Sequence, residues 1–222
     1  MYCEIFLWHI NSYKLKGIYP GEVLESGYPR IDLTFNSDEN QVYRKINESN
    51  CKINSEKPVI LYTPTWKGKS VQDVNDDIEQ IILETLKLVE EFSDSYYVLL
   101  KVHPFIYSEI KGDSRISRFL VSDRIDANEV LSVTDLLITD YSSIFFDYLV
   151  TGKPIIFYAW DKDLYKAERG LYLSEDELPG PVAENIEELI HLVSMNKVNQ
   201  EKYYVKYMTL KEKYTAYDDG NA

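Results

Sequence analysis

Short apolar runs alternate with segments of helical periodicity through the middle of the chain, and this alternation constrains the fold more than any other feature. An apolar run at residues 59–62 precedes residues 74–92, where apolar side chains recur every three or four positions, and a second apolar run follows at residues 97–102. The runs are typical of buried strands and the periodic segment of an amphipathic helix. Together they predict one strand–helix–strand unit.

The alternation continues towards the end of the chain. Further strands are predicted at residues 118–121, 136–139 and 154–158. Further helices are predicted at residues 128–133, 142–150, 184–195 and 199–214. The second of these helices should end at Gly152, because glycine commonly ends helices. Continuous apolar strands joined by helices indicate a doubly wound α/β fold, with a parallel sheet covered on both faces.

Charge and cysteine usage narrow the classes of partner. The formal net charge is −13, which argues against nucleic acid because phosphate backbones bind clustered Lys and Arg. A small anionic ligand stays possible, since backbone N–H groups at a helix start can hold phosphate.

Cys3 and Cys51 stand apart from any metal-ligand spacing, which favours a reducing cytoplasm and no metal or cofactor. No stretch approaches the ~20 apolar residues of a membrane span, and residues 1–10 lack the features of a secretory signal.

Three of the predicted strands end in polar or cationic residues. These strand ends lie at residues 63–67, 101–104 and 139–143. Ligands of open α/β sheets bind beyond the carboxyl ends of the strands, which a parallel sheet brings together. We therefore expect the three segments to converge on one cleft.

Residues 139–143 precede a predicted helix, and two interpretations fit them. Their hydroxyls and the N–H groups of the first helical turn could bind phosphate. Alternatively, Asp140 or Ser142 simply caps the helix. Asp147, one turn after Ser143, could accept hydrogen bonds from ribose hydroxyls or could be a solvated helix charge.

His103 lies between a buried strand and Pro104, with Lys101 on the same side of the strand. A histidine there could act as a base, an acid or a phosphate donor. The alternative is a structural histidine, the interpretation given to His9 and His191.

The sequence contains no Walker-type loop and no GxGxxG loop, which disfavours P-loop hydrolysis and a Rossmann dinucleotide site. A phosphoacceptor receiver domain is disfavoured because the acidic cluster near the first strand is missing.

Taken together, several short segments resemble one family, with order and spacing in agreement from about residue 18 onward. Their sequences are Gly-Tyr-Pro-Arg, Thr-Pro-Thr-Trp-Lys, Lys-Val-His-Pro, Thr-Asp-Tyr-Ser-Ser, Phe-Asp-Tyr and Lys-Pro-Ile, which begin at residues 27, 63, 101, 139, 146 and 153. Later segments at 161–165, 169–170, 179–181 and 218–220 resemble it too. The family is that of the CDP-glycerol:poly(glycerophosphate) glycerophosphotransferases of teichoic acid synthesis.

The resemblance implies a GT-B-like enzyme with two Rossmann-like lobes, of which the C-terminal lobe binds the CDP part of the donor. It implies that His103 contacts the donor diphosphate or protonates the departing CMP. By the same resemblance Thr139, Ser142 and Ser143 bind phosphate, and Asp147 lies near the ribose. The resemblance also implies cleft positions for Arg30, Thr65, Lys67 and Lys101.

The family's other functional histidine lies in an His-Gly-Thr-Pro-Leu-Lys motif that this sequence lacks. We therefore expect residues 1–18 to be a lead-in from a missing N-terminal lobe and residues 19–222 to be the nucleotide-binding lobe. The leading hypothesis is transfer of glycerol phosphate from CDP-glycerol to a polyprenyl-linked or polymer acceptor, at the inner face of the cell membrane and with a companion lobe or chain.

Three alternatives stay open at this point. The enzyme could be a GT-B glycosyltransferase that uses a nucleotide sugar. It could be a relative that uses CDP-ribitol. The chain could also be a non-catalytic nucleotide-binding or scaffolding fragment.

Overall fold

The computed structural model describes residues 27–65, 74–140, 142–160, 173 and 175–221. The predicted lead-in at residues 1–18, the candidate Lys67 and most of the connection between residues 161 and 174 lie outside this part of the chain. No helix of the described residues is long and apolar enough to cross a bilayer.

A parallel sheet of five strands, in the order β2-β1-β3-β4-β5, forms the centre of the described chain. The strands are β1 (Val59–Thr63), β2 (Tyr97–Leu100), β3 (Leu136–Thr139), β4 (Ile155–Tyr158) and β5 (Val182–Ala183). All residues of β1, β3 and β4 are buried, as expected of strands covered on both faces. The predicted doubly wound α/β fold is confirmed.

Eight α-helices and two short 3-10 helices are described around this sheet. The α-helices are α1 (Asp32–Asn36), α2 (Glu39–Glu48), α3 (Val74–Phe92), α4 (Pro104–Ile110), α5 (Ala127–Ser132), α6 (Ile144–Tyr148), α7 (Ile186–Ser194) and α8 (Asn196–Tyr214). The 3-10 helices are Leu149–Thr151, which continues α6, and Glu175–Glu177. Gly152 follows with a φ of 70°, a conformation that glycine adopts readily. The predicted helix end at this glycine is confirmed.

Alternate residues of each strand supply two hydrophobic cores, one on each face of the sheet. Val59 and Leu61 of β1 pack on the side of α2, α5, α6 and α8. Ile60 and Tyr62 pack on the opposite side, against α3 and α7. Each helix layer therefore buries one face of the sheet, and the carboxyl ends of the strands are left to the loops that follow them.

The structure corrects the expected elements at several points. The strand predicted at residues 118–121 is wrong, because only Leu120 pairs, through a single bridge to Leu100. The strand predicted at residues 97–102 ends at Leu100, since the following residues lead into α4. Four elements that were not predicted are α1, α2, α4 and β5.

The first and last described segments pack against each other. The Tyr28 N–H donates to Asp218 Oδ1 over 2.6 Å, and Asn36 Nδ2 donates to the Gly220 carbonyl over 2.7 Å. These bonds join two segments that are separated by 190 and 184 residues in the sequence. They also fix the turn that carries Arg30.

Candidate functional site

The carboxyl ends of the three predicted strands lie side by side at one edge of the sheet. Thr63 at the end of β1 pairs in register with Thr139 at the end of β3, and Tyr62 pairs with Leu100 at the end of β2. The predicted convergence of these strand ends is confirmed. The strand order reverses between β1 and β3, which makes their carboxyl ends the topological switch point where doubly wound folds bind ligands.

Asp140 connects the two strand ends at this switch point. Its buried carboxylate accepts from the Thr65 backbone N–H over 2.8 Å, and the Thr65 hydroxyl donates to the other carboxylate oxygen. Asp140 thus bonds across the sheet, whereas the helix that follows β3 has Ser143 at its cap position. These bonds hold Thr65 at the switch point, and its place in a substrate cleft stays a prediction.

Ser142 and Ser143 are half-buried at the start of α6. Ser142 Oγ accepts from the Ile144 N–H over a long 3.4 Å, and Ser143 makes no side-chain capping bond to this helix. The hydroxyl of Ser142 is therefore engaged only weakly, so that a better acceptor could recruit it at little cost. Phosphate binding by both residues stays a prediction.

Thr139 differs from these serines. It is fully buried, and its hydroxyl donates to the Thr63 carbonyl over 3.1 Å. The hydroxyl is therefore committed to the sheet in this structure. The prediction that Thr139 binds phosphate stays untested.

His103 is exposed at the same edge of the sheet and forms the cap of α4. Its Nδ1 accepts from the Phe105 N–H over 3.2 Å, and Pro104 occupies the first helical turn. A neutral imidazole that accepts at Nδ1 carries its proton on Nε2. Nε2 has no hydrogen-bond partner in the described residues. The geometry therefore leaves His103 a donor atom that a ligand could use.

Lys101, two residues earlier, is engaged with the protein itself. Its Nζ donates to the carbonyls of Ser122 and Ile125 over 3.1 and 2.7 Å. Burial lowers the pKa of Lys101, and nearby carboxylates, of which Asp126 acts most strongly, oppose that effect, since desolvation disfavours the charged ammonium. The side chain fixes the turn that precedes α5, and its predicted place among the substrate contacts stays untested.

Arg30 and Asp147 form an ion pair of 2.9 Å, although 117 residues separate them. The Asp147 side chain is only 5% exposed and that of Arg30 is 31% exposed. Asn128 also hydrogen-bonds to Asp147 and accepts from the Thr34 hydroxyl over 3.1 Å. Burial raises the pKa of Asp147, against the opposing effects of Arg30 and Asn128, because desolvation disfavours the carboxylate. The interpretation of Asp147 as a solvated helix charge is wrong, while its contact to ribose stays a prediction.

A buried carboxylate on the other face of the sheet was not predicted. Glu84 of α3 accepts from the Tyr62 hydroxyl over 2.6 Å, from the Tyr158 hydroxyl over 2.7 Å and from Gln80 Nε2 over 2.9 Å. The sequence held a signal for it, because Glu84 lies three residues after Ile81 and so falls on the apolar face of the helix. This cluster ties α3 to β1 and β4 beneath the switch point.

The part of the chain that the structure describes contains no set of side chains that could bind a metal ion. No group of three or more His, Cys, Asp or Glu side chains there could hold a metal ion. The described Cys51 is buried, and its desolvation raises the pKa of its thiol to about 12, as expected of a cysteine in apolar surroundings. The expectation that no cofactor is needed stays a prediction.

Comparison with known proteins identifies the family. The sequence matches the CDP-glycerol:poly(glycerophosphate) glycerophosphotransferase family over residues 12–222. The chain belongs to this family. The GT-B-like, Rossmann-like character that the resemblance implied is therefore confirmed along with the family itself.

Two curated relatives show the level of similarity. The chain is 33% identical over 189 residues to a teichoic acid poly(ribitol-phosphate) polymerase of Bacillus spizizenii, a match that covers 84% of this chain and 30% of the relative. It is 33% identical over 210 residues to a teichoic acid glycerol-phosphate transferase of Staphylococcus aureus, a match that covers 90% of this chain and 52% of the relative. The chain thus spans about a third to a half of the length of these relatives.

Solved structures agree with this assignment. A structure of the wall teichoic acid polymerase TagF superposes with a TM-score of 0.69 at 30% identity, over 89% of this chain and 49% of TagF. A structure of Staphylococcus aureus MnaA with UDP superposes with a TM-score of 0.50 at 16% identity, over 95% of this chain and 54% of MnaA, and supports the fold alone.

Proposed function

We propose that this chain is the donor-binding lobe of a transferase that moves glycerol phosphate from CDP-glycerol to an acceptor hydroxyl in teichoic acid synthesis. The observation that carries the proposal is the β1–β3 switch point, with the Ser142 and Ser143 helix start and His103 at the same edge of the sheet. Family membership supports the reaction class. A TagF structure obtained after a CDPG soak supports the donor.

The proposed reaction is a displacement at the phosphorus that carries glycerol. The acceptor oxygen forms a new P–O bond, the bond to the bridging oxygen of the diphosphate breaks, and CMP leaves with that oxygen. Ser142 and Ser143 hold the diphosphate with their hydroxyls and the backbone N–H groups of the first turn of α6. His103 Nε2–H donates to the CMP phosphate as negative charge develops there.

The remaining site residues have supporting roles in this proposal. The acceptor hydroxyl loses its proton to a base outside the described residues, in a second lobe or companion chain. Asp147 lies at the ribose, and Arg30 orients its carboxylate and favours the ionised form. Thr65 lines the crevice while Asp140 holds its position. The acceptor is a polyprenyl-linked or polymer hydroxyl at the inner face of the membrane.

CDP-ribitol is the second candidate donor, because one of the relatives is a ribitol-phosphate polymerase at the same 33% identity as the glycerol-phosphate transferase. The choice between glycerol and ribitol depends on contacts to the polyol.

Donor specificity is tested by calorimetry on the chain with CDP-glycerol, CDP-ribitol and a UDP-sugar. We expect both CDP-polyols to bind and the UDP-sugar to bind at least about tenfold more weakly, a difference of about 1.4 kcal/mol. Preference for the UDP-sugar would overturn the proposal in favour of a glycosyltransferase. CMP release should require addition of the second lobe, and binding without release in its presence would favour a non-catalytic fragment.

A further inference from the structure

The residues that follow α8 lie against the turn that begins at Tyr28. Asp218 is half-buried there, and its Oδ1 accepts from the Tyr28 backbone N–H over 2.6 Å. Next to this bond, a Cβ on Gly27 would lie 2.4 Å from the Tyr217 carbonyl oxygen, so the two backbones approach more closely than any other residue at this position would allow. The segment after α8 is therefore fitted to this turn at two adjacent points.

The turn in question determines where Arg30 lies. The Ile31 N–H donates to the Tyr28 carbonyl over 2.8 Å and closes the turn, with Pro29 at the second position, where its fixed φ suits a β-turn. The Tyr28 ring lies beside the guanidinium, since Arg30 Cζ is 4.5 Å from the ring centroid, a distance typical of a cation–π contact. Tyr28 thus supports Arg30 through its backbone and its ring, and Asp218 fixes that backbone.

Arg30 depends on this support because its own hydrogen bonds hold it weakly. Its guanidinium makes one hydrogen bond within the described residues, from Nη2 to Asp147 Oδ1 over 2.9 Å, whereas arginine often pairs with a carboxylate through two parallel bonds. Its Nε is buried and has no hydrogen-bond partner in the same part of the chain. A single bond does not fix the orientation of the guanidinium, so the turn must do so.

The position of Arg30 in turn affects what Asp147 can accept. Burial raises the pKa of Asp147, and Arg30 opposes this effect. Displacement of Arg30 would favour the protonated carboxyl, which accepts fewer hydrogen bonds than the carboxylate does. In the proposed function Asp147 lies at the donor ribose, where its role is to accept from hydroxyls.

We propose that Asp218 is a positioning residue of the ribose site: it holds the Tyr28 N–H, the turn then places Arg30 against Asp147, and the Asp147 carboxylate accepts from the ribose hydroxyls. The inference rests on the proposed function, because only that function puts a ribose at Asp147. It adds to the donor site a residue from beyond the last described helix. Asp218 acts through the turn and does not itself contact the donor.

The test is calorimetric titration of the chain with two ligands, CDP and the dideoxy analogue of CDP that lacks both ribose hydroxyls. Asp218→Ala should weaken CDP binding about fivefold, the effect of about one hydrogen bond. It should leave binding of the dideoxy analogue unchanged, because that ligand has no hydroxyl to donate to Asp147. An equal loss for both ligands would mean a general structural role for Asp218 and would overturn the inference, as would an unchanged affinity for CDP.

A conservative variant separates the hydrogen bond of Asp218 from its charge. Asp218→Asn keeps a side-chain oxygen that can accept from the Tyr28 N–H, and should restore CDP affinity to within about twofold of the wild type. The neutral amide should be tolerated, since burial raises the pKa of Asp218 and the site therefore favours the charged form less than water does. An Asp218→Asn variant as weak as Asp218→Ala would contradict the proposed bond to Tyr28.

Two further variants test the route through the turn. Gly27→Ala should repeat the ligand pattern of Asp218→Ala, because its Cβ would displace the Tyr217 carbonyl and with it the segment that carries Asp218. Asp219→Ala is the matched control, since Asp219 is exposed and its Oδ1 accepts from the Asn221 N–H over 3.0 Å. The control should bind both ligands as the wild type does. Wild-type CDP affinity in Gly27→Ala, or a loss in Asp219→Ala equal to that in Asp218→Ala, would overturn the inference.

The wild-type titrations distinguish this inference from the proposed function. We expect the wild type to bind CDP more tightly than the dideoxy analogue. Equal affinities would exclude a role of Asp147 at the ribose and would overturn the inference, while the donor class of the proposed function would stand. A wild type that binds neither ligand would overturn the proposed function, and the inference would fall with it.

Discussion

Two regions at the same edge of the sheet use their polar residues in different ways. In the first, the strand-end crevice of Ser142, Ser143 and His103, Ser142 makes one long hydrogen bond and His103 keeps Nε2 outside any bond in the described chain. In the second, which we call the arginine cluster, Arg30 and Asp147 are paired and Asn128 links them to Thr34. In the proposed function the crevice binds the donor diphosphate, whereas the ion pair and hydrogen bonds of the arginine cluster also join α1, α5 and α6.

Resemblance to a family therefore does not imply one role for all residues of its motifs. His103 and Lys101 belong to the same short motif, yet Lys101 donates to two backbone carbonyls and His103 faces solvent. Arg30 and Asp147 belong to different motifs, yet they form one ion pair. Substitutions in the crevice should lower binding or turnover, and substitutions in the engaged residues should lower stability.

The largest expected effect is that of His103→Ala in the enzyme reconstituted with its second lobe. Turnover should fall about 10²-fold or more, the scale of a positioned proton donor or charge stabiliser. Stability should change by less than about 1 kcal/mol, because the lost capping bond is exposed. Single-turnover CMP release and the melting temperature should be measured on the same sample.

His191→Ala is the matched control for this prediction, because His191 is exposed on α7 and far along the chain from the strand ends. It should leave both turnover and melting temperature unchanged. A destabilised His103→Ala variant with near-normal turnover per folded molecule would mean that His103 is a structural residue and does not act on the donor.

Asp147→Ala should destabilise the fold by about 2 kcal/mol, less than the loss of one partner from a fully buried ion pair. The reason for the smaller loss is that Arg30 is partly exposed. The change leaves Arg30 and Asn128 without their shared acceptor. Denaturant unfolding measures the loss, and a double-mutant cycle with Arg30→Ala measures the coupling. Full stability together with weakened CDP-glycerol binding would mean that Asp147 serves the donor alone and does not stabilise the packing of the helices.

The charge of Asp147 should also make stability depend on pH. Because burial raises its folded-state pKa, the native state holds this proton more tightly than the unfolded chain. The contribution of Asp147 is therefore largest below its ordinary pKa and is lost as pH rises through the folded-state value. The unfolding free energy of the wild type, relative to that of Asp147→Asn, should fall from acid to neutral pH. A rise over that range would mean that Arg30 outweighs burial.

The strands and the long helix could be predicted because their signals are local. Continuous apolar runs mark β1 and β3, and the helical periodicity of Val74–Phe92 predicts the observed bounds of α3, as such patterns generally do. The helix α4 was missed although Pro104 in its first turn was a usable signal. The two residues of β5 carry no detectable pattern, because they become a strand only by pairing with β4.

The position of the candidate site could be predicted from the sequence, because the topology of the sheet determines where the strand ends lie. Parallel strands place the residues after β1, β2 and β3 at one edge, whatever their side chains are. Which of these side chains bond to each other depends on tertiary contacts, and for this reason the Arg30–Asp147 pair and the bonds of Lys101 were not predicted.

Lys101→Met should lower stability by about 1–2 kcal/mol, because it removes two hydrogen bonds from an ammonium group and leaves the Ile125 carbonyl without this donor, while the Ser122 carbonyl keeps its bond to the Ile125 N–H. The methionine keeps most of the aliphatic length, so packing changes little. Denaturant midpoints measure the effect, and Lys111→Met, at an exposed position after α4, is the control. If Lys101→Met were as stable as that control but lost CDP-glycerol binding, Lys101 would contact the ligand directly.

The smallest expected effect is that of Ser142→Ala, and it tests the crevice most directly. If the hydroxyl donates to the donor diphosphate, its loss should weaken CDP-glycerol binding by about 1 kcal/mol or more, since the bond is to a charged acceptor. If Ser142 only caps α6, the variant should instead lose stability, because the Ile144 N–H would lose its acceptor. The 3.4 Å length of that bond favours the first outcome. Calorimetry and thermal unfolding on Ser142→Ala, with Ser194→Ala on α7 as an exposed control, separate the two, and an unchanged affinity in a folded variant would return Ser142 to a capping role.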